Sequence, residues 1–216
     1  MASVPFGPGR LVDQHTVAPE PTQSVKEPLL WPGRWSGMRI TVELGRRDLL
    51  VVAGLPGAGK STLLGRLSGD ITVLDPDQVR GWLAARLPAG TRYRYYRPIV
   101  HVWQRLRVAF AAVRTGPMIV QEPSTRATTR AWLVALGAVT GRRVRMVWLE
   151  VTPEQALKGQ HVRGRVLGRR TFERHVRRSA RLREALLAER VPVGWHSAQV
   201  LTRTAADSTA FVGAAA

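Results

Sequence analysis

Cysteine is absent from this 216-residue chain, asparagine is absent too, and lysine occurs only three times. Without Cys there is no disulfide framework, no thiolate zinc site and no cysteine nucleophile, so an oxidising compartment offers the chain nothing. The five His residues, at 15, 101, 161, 175 and 196, lack an HxxxH spacing, which argues against a metal site. No run approaches the ~18 apolar residues of a membrane span. The first residues lack the basic and apolar regions of a signal peptide. These absences make the cytoplasm the default location. Acidic residues are also scarce: 15 Asp and Glu face 33 Lys and Arg, for a formal net charge of +18. That balance favours an anionic partner such as phosphates, nucleotides or nucleic acid. GC-rich coding DNA would produce the same arginine-rich, asparagine-free composition, so charge alone decides nothing.

What is present suffices for one core, since 44% of residues are hydrophobic. Residues 1–38 hold six Pro, four Gly and equal numbers of basic and acidic residues, without periodicity, and read as an irregular tail anchored by Trp31 and Trp35. A domain over 39–204 and a C-terminal tail over 205–216 follow. Strands are expected at 39–44, 49–53, 71–74, 117–122, 144–151 and 198–201, and helices at 60–67, 77–87, 98–114, 125–139, 153–162 and 171–189. Strands alternating with helices of these lengths specify an α/β fold, a parallel sheet covered on both faces.

Gly54-Leu55-Pro56-Gly57-Ala58-Gly59-Lys60-Ser61 satisfies G-x-x-x-x-G-K-[ST], after a buried strand and before a helix, as the mechanism requires. Its small residues let backbone N–H groups face a phosphate. Lys60 is expected to bridge the β- and γ-phosphates of ATP and the Ser61 hydroxyl to ligate Mg²⁺, with Thr62 next along the helix. Guanine specificity usually needs an N/T-K-x-D loop, which a chain without Asn lacks in its ordinary form. Leu67-Ser-Gly-Asp70 reads as the helix C-terminus, with Gly69 as cap.

Val73-Leu-Asp75-Pro-Asp77-Gln-Val-Arg80 then places two carboxylates and an arginine at a strand's C-terminal end, where open α/β sheets hold ligands. Here the chain resembles small P-loop kinases of the AAA-domain, polynucleotide kinase and zeta toxin type. The resemblance implies a three-layer P-loop kinase fold, with a mostly parallel five-stranded sheet flanked by helices and an arginine-rich helical lid over about 158–172. It also implies an ATP-dependent phosphotransferase in which Asp77 accepts the acceptor's hydroxyl proton, Arg80 holds the acceptor, and Asp75 supports the base or the magnesium shell. Asp75 and Asp77 are equally suited to capping the next helix. Glu122 ends the third strand where a Walker B acid is expected, though similar kinases more often carry Asp or a polar pair there.

Ser124 and Thr125 stand where a helix cap belongs, and Arg126 and Arg130 share one face of the helix that follows. By the same resemblance Arg163 and Arg165, flanking the hinge at Gly164, bear on the transferring phosphoryl group, with Arg169 or Arg170 in reserve. Between Lys158 and Arg190 there are eleven basic and three acidic residues, and Arg174, Arg177, Arg178 and Arg181 read as a solvated helix face or a nucleic-acid contact. Arg92-Tyr93-Arg-Tyr-Tyr-Arg97 reads either as an acceptor-binding loop or as a helix entry packed on the domain. The acceptor is left open among a nucleic acid, a nucleotide-type compound and a small metabolite. Two other readings stand beside the kinase: a regulatory ATP-binding protein that transfers nothing, and a nucleic-acid-binding ATPase.

Overall fold

The apolar run at 49–53 forms strand β2, Asp48–Gly54, and all seven of its residues are buried. A strand buried on both faces must lie inside a sheet whose two sides are covered. In the computed structural model, which describes residues 40–65, 67, 68, 70–164 and 166–213, that sheet has five parallel strands. They are β4 (Thr72–Leu74), β5 (Met118–Gln121), β2, β6 (Arg143–Glu150) and β7 (Ser197–Thr202), in that spatial order. The expected tail with Trp31 and Trp35, the Gly69 cap and Arg165 lie outside the described residues.

Alternate side chains of the strands serve opposite faces. Leu50, Val52, Ile119, Val147 and Leu149 pack with Leu63 of α1 (Lys60–Leu64), Ala156 of α5 (Pro153–Val162), Phe172 of α6 (Arg169–Leu187) and Ala206 of α7 (Arg203–Asp207). Leu49, Val51, Met118, Met146 and Trp148 pack with Val108 of α3 (Tyr93–Ala112), Leu133 of α4 (Ala127–Thr140) and Leu182 of α6. The connection after β2 therefore leads to one face and that after β5 to the other. The crevice at their C-terminal ends is the ligand position of such sheets. At the opposite end, buried Arg142 donates to the carbonyls of Ala111, Ala112 and Arg114 at the close of α3 and to those of Asp48 and Gly116, tying helix and strands together.

Four expectations are corrected. The P-loop helix stops at Leu64, and Leu67–Ser68 is not its C-terminus but a short strand, β3. The segment 205–213 is not a tail: α7 leads into β8, Thr209–Gly213, which pairs in parallel with β1 (Ile40–Leu44) and β3 in a second sheet and buries Phe211 completely. The expected strand at the domain's start belongs to that sheet. Finally, α3 does not wait for Pro98; it begins at Tyr93 and carries Pro98 inside, because Tyr96 and Val100 bury against Val79 of α2 (Pro76–Ala84). Residues Tyr93 to Arg97 are thus a helix start, not a loop.

Candidate active site

The loop between β2 and α1 is held in shape from beneath and from outside. Gly57 and Gly59 adopt φ of 95° and 102°, conformations that side chains rarely tolerate. Gly57 has a second constraint. A Cβ there would collide with the Ala156 carbonyl of α5, and one on Gly159 of the same helix would collide with the Gly57 carbonyl. Gln160 of α5 donates from Nε2 to the Pro56 carbonyl at 3.0 Å and accepts from the Leu167 N–H at 2.8 Å, joining the P-loop to the segment before α6. Replacing Gly159 with Ala is expected to push α5 off the loop and lower phosphoryl transfer by about 10²-fold, the order of loss for a misplacement near 1 Å, with the circular dichroism spectrum unchanged.

Lys60 is buried and donates from Nζ to the carbonyls of Gly54 and Leu55, each at 3.0 Å. Burial first, then the Arg163 guanidinium, lower its pKa to about 8, against the opposing pull of Glu122, Asp75 and Asp77. A phosphate ligand stabilises the ammonium and raises that value. ATP affinity is therefore expected to be flat below pH 8 and to fall as pH rises above it, approaching tenfold per pH unit. Calorimetry between pH 6.5 and 9.5 checks this, and a flat profile throughout contradicts it.

The Ser61 hydroxyl lies 3.3 Å from Oε1 of Gln121, the last residue of β5. Gln121, which sequence reasoning passed over, thus meets the P-loop hydroxyl where the acid Glu122 was expected to act. Glu122 is partly buried, which raises its pKa, while Lys60, Arg105 and Arg126 pull it down. Magnesium binds mainly through phosphate oxygens and water, and a serine hydroxyl beside Gln121 and near Glu122 is a donor set compatible with that arrangement. Among the described residues no group of three or more His, Asp or Glu forms a protein-only metal cage.

Beyond β4, Asp75 and Asp77 divide their tasks. Asp75 is the N-cap of α2: its Oδ1 accepts from the Asp77 N–H at 2.8 Å. The Asp77 carboxylate, 44% exposed, sits 3.8 Å from Arg80, whose guanidinium stacks 4.5 Å from the centre of the Tyr93 ring. Both carboxylates act electrostatically on Lys60, so the end of β4 faces the P-loop.

A family model described as AAA domain matches residues 49–186. The chain belongs to the AAA domain family. Among solved structures it is similar to one from the PezAT chromosomal toxin-antitoxin system of Streptococcus pneumoniae, at 14% identity and a TM-score of 0.52 over 73% of this chain and 69% of that one. A candidate kinase from Chloroflexus aurantiacus is similar at 13% identity and a TM-score of 0.51, over 74% and 87% of the two chains. A chain of the Pnkp1/Rnl/Hen1 RNA repair complex is similar at 18% identity and a TM-score of 0.52, over 65% of this chain and 46% of that one. The fold is that of the P-loop kinases. No curated protein matches the chain.

In this AAA domain protein the expected lid is a helix, a short connection and a helix. α5 opens with Thr152 as cap and Pro153 as first residue, in a full capping box with Gln155. It ends at Val162, and Gly164 turns the chain with a φ of 62°. Arg163 is exposed, with Nε 3.4 Å from the Gly159 carbonyl, close enough to act on Lys60. Arg169 is paired with Glu173 at 2.9 Å. Arg174, Arg177, Arg178 and Arg181 are exposed.

The loop after β5 departs from expectation. Neither Ser124 nor Thr125 caps α4; Arg126 occupies the cap position with no side-chain bond. Ser124 takes a φ of 53° and is buried, its hydroxyl without a hydrogen-bond partner among the described residues. Its carbonyl accepts from Arg130 at 2.8 Å, so Arg130 holds the loop rather than reaching outward. The Thr125 hydroxyl meets Nδ1 of His175 on α6 at 3.1 Å. Burial, then Arg178, Arg97, Lys60 and Arg126, lower the His175 pKa to about 4. No local motif flagged His175; it reaches the site only because α6 folds back over the crevice.

Proposed function

We propose that this protein is an ATP-dependent phosphotransferase that moves the γ-phosphate of ATP to a hydroxyl group. The P-loop, Gly54 to Thr62, seats the phosphates, with Lys60 turning from the Gly54 and Leu55 carbonyls to the β- and γ-oxygens. Ser61 would hold Mg²⁺, which would supply charge neutralisation of the phosphates, and Asp75, at the cap of α2, would support that shell. The acceptor enters between Asp77, Arg80, Tyr93, Arg97, Glu122 and Arg126. Its hydroxyl proton passes to the Asp77 carboxylate, its oxygen bonds to the γ-phosphorus, and the bond to ADP breaks. Arg163 and Arg165 stabilise charge developing on the transferred group.

The observation that carries this reading is the separation of Asp75 from Asp77. The capping bond belongs to Asp75, while the Asp77 carboxylate stands beside Arg80 and within electrostatic reach of Lys60. A carboxylate two residues beyond the cap, beside Arg80 and within electrostatic reach of the P-loop lysine, supports the role of a base in phosphoryl transfer. No helix of the described residues is long and apolar enough to cross a membrane, and the chemistry suits a cytoplasmic enzyme supplied with ATP. The test is ADP formation measured with ribo- and deoxyribo-oligonucleotides, nucleotides, nucleotide sugars and small polyols. The reading expects ADP release to rise at least tenfold with one acceptor class; ATP turnover that ignores every acceptor contradicts it.

A further inference from the structure

The crevice beside the P-loop gathers more positive charge than ATP accounts for. On α3, Arg97, His101 and Arg105 recur every four residues and so form one row about 12 Å long, with Arg97 Nε 3.3 Å from His101 Nε2. The row faces the loop after β5: Arg97, Arg105 and Arg126 all lower the His101 pKa, and Arg105 and Arg126 both act on Glu122. From the third side, α6 contributes His175 through its contact with Thr125, with Arg178 beside it. Arg105 of α3 and Arg126 of the loop therefore bear on one partly buried carboxylate, Glu122, while Arg97, Arg126 and Arg178 bear on the His175 imidazole that meets Thr125.

Among the described residues those cations outnumber the one carboxylate, Glu122, that they act on. Among the described residues, the arginines in ion pairs within 4 Å are Arg80, Arg143, Arg145, Arg169 and Arg183; Arg97, Arg105, Arg126 and Arg178 are not among them. Burial first, then these arginines, lower the pKa of both imidazoles, and the guanidinium forks carry the charge in a geometry suited to phosphate oxygens. The same loop carries the buried, unpartnered Ser124 hydroxyl in a left-handed conformation, a cost that a purely structural loop has no reason to keep.

We propose that this crevice, bounded by Arg97 and Arg126 with Thr125 and His175 at its back, binds an anionic phosphate already present on the acceptor. The substrate class is thus a phosphate-bearing alcohol rather than a neutral polyol. The proposal rests on the phosphotransferase reading for its role, but the anion site itself can be tested without turnover. Arg80, stacked on Tyr93 and 3.8 Å from Asp77, stands beside the carboxylate proposed to receive the hydroxyl proton.

The first measurement is calorimetric binding of inorganic pyrophosphate to the protein with its P-loop saturated by Mg²⁺ and a non-hydrolysable ATP analogue. One pyrophosphate per chain is expected. Arg97→Ala and Arg126→Ala should each weaken it at least tenfold, while Arg177→Ala on the exposed face of α6 should leave it unchanged. Absence of binding, or equal weakening by Arg177→Ala, overturns the site. The second measurement compares matched acceptors, a nucleoside with its 3′-monophosphate and glycerol with glycerol phosphate, which also separates nucleotide from sugar-phosphate sources. At least a 100-fold higher kcat/KM for a phosphorylated member, reduced selectively by Arg126→Ala, supports the proposal, and equal use of neutral and phosphorylated members refutes it. Pyrophosphate binding without transfer to any acceptor would remove the kinase reading and leave the anion site standing. Transfer to neutral acceptors without pyrophosphate binding would do the reverse.

Discussion

Asp77→Asn is expected to lower phosphoryl transfer by about 10²- to 10⁴-fold, the range for loss of a positioned general base, while ATP binds as before. The substitution keeps the shape of the side chain and leaves the cap of α2 intact, because the capping bond runs from the Asp77 N–H to Asp75. What it removes is the carboxylate beside Arg80. Asp75→Ala should behave differently: it strips the cap and costs about 1 kcal/mol of stability. Thermal unfolding and single-turnover transfer, measured on both variants, separate the two roles. If Asp77→Asn transfers at the wild-type rate, the base lies elsewhere.

Lys60→Met has the second large effect, and it divides function from stability. Transfer should fall at least ~10³-fold, since an arginine or lysine on developing phosphoryl charge supplies several kcal/mol. Yet the unfolding midpoint of the nucleotide-free protein should not fall. Lys60 keeps its charge in the folded state against burial and Arg163, and the lowered pKa means that this charge opposes folding below pH 8. Methionine fills a similar volume without the charge, which offsets the two lost bonds to Gly54 and Leu55. A folded protein with an unchanged or higher midpoint and no ATP binding is the expected outcome. A drop of several degrees would mean that the lysine is a structural strut rather than a ligand-poised cation.

The P-loop was legible because its chemistry is local: eight consecutive residues, a strand before and a helix after suffice to place it. Asp75 and Asp77 were half legible. Their position at a strand end was plain, but either could cap the helix, and only the 2.8 Å bond to Oδ1 of Asp75 decides which does. The helix expected at 153–162 was legible for the same local reason, since Pro153 opens it and Thr152 caps it. The C-terminal strand was missed because five residues, Thr209–Gly213, carry too little periodicity; β8 exists through its pairing with β1 and β3. His175, Gln121 and Gln160 were invisible for a deeper reason. Each meets a partner 50 to 104 residues away, and nothing in their neighbours' identities announces it.

The net charge of +18 also divides into parts that composition could not separate. Arg142 is a buried tie among backbone carbonyls, and Arg143 and Arg145 both hold the buried Asp48 carboxylate. These arginines build the fold. Arg97, Arg105, Arg126 and Arg163 surround the crevice and bear on Lys60, Glu122, His101 and His175. Part of the surplus is therefore gathered around the P-loop end of the sheet.

The central claim, transfer rather than binding or hydrolysis, is tested most directly by following the γ-phosphorus of ATP. Phosphorus NMR of the protein with Mg²⁺, ATP and the best acceptor distinguishes a new phosphomonoester from orthophosphate. The account predicts a phosphomonoester signal that grows in step with ADP and vanishes with Asp77→Asn. Orthophosphate as the sole product, or ATP left intact beside a saturating acceptor panel, would contradict it.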